Sequence, residues 1–223
     1  MLVAVAVFPG TNCEIDTKYA FEKLGQEVVL VFHKEDKLPE GTDLVVLPGG
    51  FSYGDYLRSA AIAKFSPIMK AVIAFAQQGG KVLGICNGFQ MLVEARLLPG
   101  AMKRNENVHF ISQFHHLKVV HNDNTFLRRC SVGEVLNIPI AHGEGSFYID
   151  PEGLKELYAK HQVLLTYCDE KGTPQNPNGS IDAIAGICNE AKNVFGLMPH
   201  PERAIEAILG SDDGVKMLRG FLD

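Results

Sequence analysis

The sequence has no basic excess: 21 Lys and Arg stand against 26 Asp and Glu, a formal charge of −5. The charges are interspersed without a Lys/Arg patch, so neither a nucleic-acid nor an anionic-membrane partner is indicated. No apolar run approaches the roughly 18 residues that a membrane span requires. The apolar opening LVAVAVF has no basic residue before it, stops at Pro9-Gly10 and leads to no small-residue cleavage site, so it reads as a strand and not a secretory signal. The five cysteines (Cys13, Cys86, Cys130, Cys168 and Cys188) are odd in number and form no Cys-x-x-Cys, which argues against a disulfide framework and for a reducing, cytoplasmic location. There is no phosphate loop of the G-x-x-x-x-G-K-[ST] type, since Gly79-Gly80-Lys81 continues with Val82, and no ATP site is expected in this chain. Internal repeats, low-complexity tracts and a linker are also missing, so the 223 residues are expected to form a single domain over 1–223.

What is present is an alternation of strand-like and helix-like runs. LVAVAVF, a helix near Glu14 to Leu24, EVVLVFH, LVVLPGG and a helix from about Asp55 follow one another, the pattern of βαβ units. Ser66-Pro67 reads as an N-cap followed by Pro at N1, opening a helix through IMKAVIAFAQQ that Gly79-Gly80 stops. Beyond Pro99 the strand candidates HLKVV, VLNIPIA, VLLTYC, AIAGIC and VFGLM are shorter and polar-interrupted, with a loop around TPQNPNGS and helical patterns from about Glu202 to Leu209 and Val215 to Phe221. The fold class that follows is α/β: an open, mostly parallel sheet with helices on both faces and a few antiparallel additions.

The sharpest local signal is Gly84-Ile85-Cys86-Asn87-Gly88, a G-x-C-x-G set between the strand KVLGI and the helical run FQMLVEARLL. In the analogous G-x-S-x-G turn the nucleophile occupies a tight strand-to-helix bend, and the glycines leave space where a side chain would clash. At such a bend Cys86 projects from the carboxyl end of the sheet. The helix N-terminus there favours a thiolate, and the Asn87 N–H is free to face an oxyanion. The competing interpretation is a buried structural cysteine whose glycines serve only the turn.

A cysteine nucleophile needs a base, and the base needs an orienting group. His200-Pro201-Glu202 follows VFGLM, and Pro201 biases His200 toward an extended conformation in which residues two apart share a side. Glu202 is then expected to accept from one ring nitrogen of His200 while the other faces Cys86. On its own this segment also fits a strand end leading into a helix with Pro at N1; paired with the Cys86 turn, it favours the catalytic reading. A second oxyanion donor is expected from Gly50 or Phe51 in Pro48-Gly49-Gly50-Phe51, after LVVL, although a Gly-rich turn without a ligand would look the same. Phe114-His115-His116-Leu117 with His109 and His121 carries no zinc spacing, adjacent strand histidines point to opposite faces, and no metal is expected. Cys13, near a helix start, is read as packing. His142-Gly143-Glu144-Gly145 is read as a loop that brings backbone close to a ligand.

With Cys86, His200 and Glu202 in hand, the chain resembles the triad-type, class I glutamine amidotransferases. PGTNCEID, PGGFSYGDYLRSAAIA, GICNGFQML, KRNENVHF, AHGEG and MPHPER resemble, within them, the family of glutaminase subunits of phosphoribosylformylglycinamidine synthase. The resemblance implies a flavodoxin-like class I amidotransferase fold and release of ammonia from glutamine through a cysteinyl thioester. It implies that Phe51, Gln90 and the backbone around Gly50, Asn87, His142 and Gly143 hold glutamine. It also implies two partners, a large synthetase subunit that uses ATP and Mg²⁺ and a small assembly subunit, with no cofactor in this chain. Two alternatives stand beside it: a docking or regulatory subunit of the same complex, and another Cys-elbow hydrolase.

Overall fold

The computed structural model describes residues 1–222. Its strands are β1 (Leu2–Val7), β2 (Glu27–Phe32), β3 (Thr42–Leu47), β4 (Lys81–Ile85), β5 (Ala101–Lys103), β6 (Ile111–Val119), β7 (Val135–His142), β8 (Ser146–Tyr148), β9 (Val163–Cys168), β10 (Ile184–Cys188) and β11 (Val194–Leu197). The helices are α1 (Glu14–Lys23), α2 (Pro67–Gln77), α3 (Asn87–Glu94), α4 (Pro151–Ala159) and α5 (Asp213–Leu218). Nine strands form one sheet in the order β2-β1-β3-β4-β11-β10-β9-β6-β7, while β5 and β8 pair separately.

The two halves of the sheet follow different rules. From β2 to β11 neighbouring strands run parallel, and β1, β3, β4 and β11 are near-continuous Val, Leu, Ile and Ala because both faces are covered. The chain steps one way from β1 through α1 to β2 and the opposite way from β3 through α2 to β4. With right-handed crossovers this places the two helices on opposite faces. From β11 to β7 every pairing is antiparallel, and β7 alternates buried and half-buried residues as a sheet covered mainly on one side does.

Local chemistry explains the helix bounds. α2 starts on an extended Ser66 with Pro67 at N1, buries Ile68, Met69, Val72 and Ala76, and is stopped by left-handed Gly79. Ser66 is an N-cap by position only, since its hydroxyl donates to Ala63 O at 2.7 Å.

Two expected helices are absent. The segment from Asp55 is a series of turns in which Tyr53, Asp55, Leu57 and Ala60 all have positive φ. Its polar side chains reach across the fold, Arg58 to Glu94 and Ser59 to Glu144, and no α-helix begins between Asp55 and Ser66. From Glu202 to Leu209 there are only short 3₁₀ turns, because the Ala204 carbonyl that would continue a helix accepts from Gly214 N–H of α5 at 2.8 Å. Among the described residues no helix is long and apolar enough to cross a membrane, and all five cysteines are free.

Parallel pairing of β1, β3, β4 and β11 brings the carboxyl ends of these strands to one edge. Four loops therefore meet there: Pro9–Cys13, Pro48–Phe51, the Cys86 turn and Met198–Glu202. This is where open α/β sheets place their ligands.

Candidate active site

Cys86 occupies the bend between β4 and α3 with φ 51° and ψ −107°, a conformation disfavoured for any side-chain-bearing residue. Two close approaches hold it there. A Cβ on Gly88 would lie 1.8 Å from Leu47 O of β3, and one on Gly84 would lie 2.6 Å from Gly88 O, so only glycine lets α3 settle onto the sheet. Cys86 N–H is fixed to Leu197 O at 2.8 Å, and its Sγ lies 3.6 Å from Ala141 O. Asn87 opens α3, so its N–H has no intrahelical acceptor.

His200 and Glu202, both buried, meet as expected: Nδ1 donates to Glu202 Oε1 at 2.6 Å. That bond fixes the tautomer and leaves Nε2 as the free nitrogen, without a hydrogen-bond partner in the protein. Burial opposes charge on the imidazole, but Glu202, Cys86 and a contact with Cys13 outweigh it and raise His200 well above the ordinary histidine range. Gly49 is the floor under this arrangement. A Cβ there would meet His200 Cε1 at 2.7 Å, Cys13 Sγ at 3.0 Å and Cys86 Cβ at 3.4 Å.

The structure separates the two candidates for the second oxyanion donor. Phe51 N–H is already bonded to Gly10 O at 2.9 Å, whereas Gly50 N–H has no acceptor among the described residues. Gly50, at φ 141°, is held by the bridge to Thr11. The Phe51 ring is exposed and sits 6.4 Å from Phe110 beside the cavity. Gln90 lines the same cavity, and both ends of its amide are engaged: Oε1 accepts from Asn87 Nδ2 at 2.8 Å and Nε2 donates to Glu144 O at 2.7 Å. Asn87 Oδ1 in turn accepts from Ser52 N–H at 3.1 Å, so one relay ties the turn after β3, helix α3 and the loop after β7 together.

His142 and Gly143 also reach the cavity wall. The Asn105 amide donates to the carbonyls of His109 and His142, so its Oδ1 faces His142 Nδ1 at 3.2 Å. Burial first, and then His200, pulls His142 down to about 4. It is therefore neutral near pH 7 and has no carboxylate beside it, unlike His200. His115 and His116 lie on opposite faces of β6, His115 buried against Gln175 O at 3.0 Å.

The cavity, about 180 Å³, is lined by Cys86, Gly50, Phe51, Gln90, Gly143 and His200 among others, and it gathers residues that sequence reasoning set aside. Cys13 does cap α1, yet its buried thiol also accepts from Arg203 Nη2 at 3.1 Å and approaches His200. Burial nevertheless holds that thiol above the ordinary cysteine value, ahead of the lowering effects of His200 and Arg203. Cys13, His200 and Glu202 each bring one potential ligand atom within 4.8 Å of the others. The Nδ1···Oε1 hydrogen bond already joins two of these three groups, so the geometry is accounted for without an ion. Asp55 and Glu144 also line the cavity. FSYGD and AHGEG contain them only as parts of longer motifs, with nothing local to show that they face one cavity.

Known proteins resemble this chain over nearly its whole length. The CobB/CobQ-like glutamine amidotransferase domain matches residues 1–213. The phosphoribosylformylglycinamidine synthase subunit PurQ of Sulfurimonas denitrificans is 67% identical over 222 residues, covering 100% of this chain and 99% of its own. That of Campylobacter jejuni is 58% identical over 222 residues, covering 100% and 96%. A chain in the structure of PurLQS from Thermotoga maritima superposes with a TM-score of 0.89 at 42% identity, covering 99% of this chain and 97% of that one. By domain, by full-length identity and by fold, the chain belongs to the PurQ family of phosphoribosylformylglycinamidine synthase subunits, within the CobB/CobQ-like glutamine amidotransferases.

Proposed function

We propose that this chain is a glutaminase that releases ammonia from glutamine at Cys86 and delivers it to a synthetase partner, which converts formylglycinamide ribonucleotide to its amidine in purine biosynthesis. The observation that carries the reading is the strained Cys86 bend facing the buried His200–Glu202 pair in one cavity, in a PurQ-family chain. In this reading Cys86 Sγ attacks the substrate carboxamide carbon. The N–H groups of Gly50 and Asn87 receive the oxyanion, and His200 Nε2 returns the thiol proton to the departing ammonia. His200 then takes a proton from water, the thioester is hydrolysed, and glutamate leaves. Phe51, Gln90, His142 and Gly143 shape the wall that holds the substrate. Glu202 keeps the Nδ1 proton in place and stabilises the imidazolium.

The partners in this reading are a large synthetase subunit, which uses ATP and Mg²⁺, and a small assembly subunit, with the complex in the cytoplasm. The solved relative from Thermotoga maritima, matched within PurLQS, supports an assembly of this kind. The test is glutamate release from glutamine by the purified chain, alone and with both partners, ATP, Mg²⁺ and formylglycinamide ribonucleotide. Release that rises in the full mixture is the expected result; no release in either condition from a demonstrated complex would identify a docking subunit instead.

Glu202→Gln probes the triad separately. A neutral amide can no longer hold the imidazolium, so kcat for glutamine hydrolysis in the complex should fall by roughly 10³- to 10⁴-fold with KM little changed. A loss of under about tenfold would remove Glu202 from the proposed machinery.

A further inference from the structure

Cys13 is a second sulfur in the Cys86 cavity, and the proposed reaction gives it no part. Its backbone is held from both sides: the N–H donates to Gly49 O at 3.2 Å, and the carbonyl accepts from Thr17 N–H at 3.0 Å and Thr17 Oγ1 at 2.8 Å. The thiol is held as well. It donates to Asn12 Oδ1 at 3.2 Å and accepts from Arg203 Nη2 at 3.1 Å, while Arg203 Nε donates to Asp16 Oδ2 at 2.9 Å. Burial holds this thiol above the ordinary cysteine value, so it stays protonated and is no rival nucleophile. A sulfur whose proton is committed to Asn12 and whose first lone pair is committed to Arg203 has a second lone pair left. The group beside that sulfur is the base. Cys13 Sγ comes within 4.8 Å of a ring nitrogen of His200. Cys13 Sγ, His200 Cε1 and Cys86 Cβ also converge above Gly49, at 3.0, 2.7 and 3.4 Å from where a Cβ would lie. Glu202 pins the imidazole only at Nδ1, and Nε2 has no hydrogen-bond partner among the described residues. Before acylation the Cys86 sulfur can receive the Nε2 proton, but in the thioester that sulfur carries no negative charge. An imidazolium formed as water attacks then has one other sulfur to turn to, that of Cys13.

We propose that Cys13 is a positioning residue for the base: its sulfur backs the His200 imidazole and shares the Nε2–H of the imidazolium, alone once Cys86 is acylated. The inference rests on the glutaminase reading above. Its test follows glutamate release from glutamine by the chain assembled with its synthase partners, with all of their substrates present, in three variants. Cys13→Val fills the space without a lone pair, and Cys13→Ala empties it. Both should lower kcat by about 5- to 20-fold, the range of one hydrogen bond from a weak acceptor to a charged group, with KM for glutamine within about twofold of wild type. Cys13→Ser keeps a hydroxyl that donates to Asn12 and accepts from Arg203 and His200, so kcat should recover to within about threefold of wild type. The contact with Cys13 favours the charged form of His200. Its loss should therefore move the basic limb of the kcat/KM pH profile to lower pH in the Val and Ala variants and leave it in place in the Ser variant. Ammonia-dependent synthesis should continue at the wild-type rate in all three. Full kcat in Cys13→Val, a loss confined to KM, an unshifted basic limb, a Ser variant as impaired as the Val variant, or an equal loss of ammonia-dependent synthesis overturns the assignment. Wild-type complex that releases no glutamate overturns the glutaminase reading itself, so the two failures are distinguishable.

Discussion

Cys86→Ala is expected to abolish glutamine-dependent synthesis by the assembled complex, by about 10⁴-fold or more, while ammonia-dependent synthesis continues at its wild-type rate. The magnitude follows from chemistry: without the sulfur no thioester forms, and the oxyanion donors Gly50 and Asn87 have no tetrahedral intermediate to stabilise. The selectivity follows from structure. Alanine keeps the Cβ, and the bend is held by Cys86 N–H on Leu197 O and by the glycine contacts beneath α3, none of which involves the sulfur. The fold and its docking face are therefore retained, and added ammonia bypasses the missing step. The measurement is amidine formation from glutamine and from ammonium salt in parallel. Loss of both activities would mean that the substitution disturbs assembly, and retention of both would remove Cys86 from the reaction.

Gly88→Ala is expected to be the most damaging small substitution near the site for stability. Its Cβ would sit 1.8 Å from Leu47 O and 2.6 Å from Leu47 C, and these are backbone atoms of a central strand with neighbours on both sides. Neither a rotamer change nor a side-chain shift relieves such a contact, so α3 must lift away from β3. The cost is at least about 3 kcal/mol, at the upper end for overpacking. For a chain of this size that corresponds to a fall in Tm of roughly 6–12 °C. Because α3 carries Asn87 and Gln90, glutaminase activity should fall in the surviving folded fraction as well. Gly143→Ala is the comparison: its Cβ would meet only Phe110 at 3.6 Å, and stability should change by less than about 0.5 kcal/mol. Thermal denaturation of the two variants checks both statements, and equal Tm values would show that the helix packs on the strand less closely than the structure indicates.

How much of this was legible in the chain depends on how far apart the interacting residues lie. The elbow was legible because G-x-C-x-G compresses a strand end, a nucleophile and a helix start into five residues. The His200–Glu202 contact was legible because an extended backbone before Pro201 puts residues two apart on one side. Asp55 was misread because SYGDYLRSAAIA has helix-compatible composition, while the left-handed turn it adopts is stabilised by contacts with Pro9, Asn87, Glu94 and Glu144. The run from Glu202 was misread for a similar reason, since Gly214 takes the carbonyl that a helix would need.

The sequence by itself determined the main strands, the Cys86 elbow and the chemistry that each short motif carries, because periodicity, glycine placement and short motifs report forces that act within a few residues. The tertiary structure alone decided which of those groups share a cavity and in what state. Strand order brings the ends of β1, β3, β4 and β11 to one edge, and this sets Cys13 beside His200 and lets Gly10 O take the Phe51 N–H while leaving that of Gly50 free. Burial then holds His142 neutral and leaves Asp55 Oδ1 without a partner, while Glu202 and Cys86 raise His200 above the ordinary histidine range. Desolvation and Coulomb interaction depend on distances through space, which local sequence patterns do not encode.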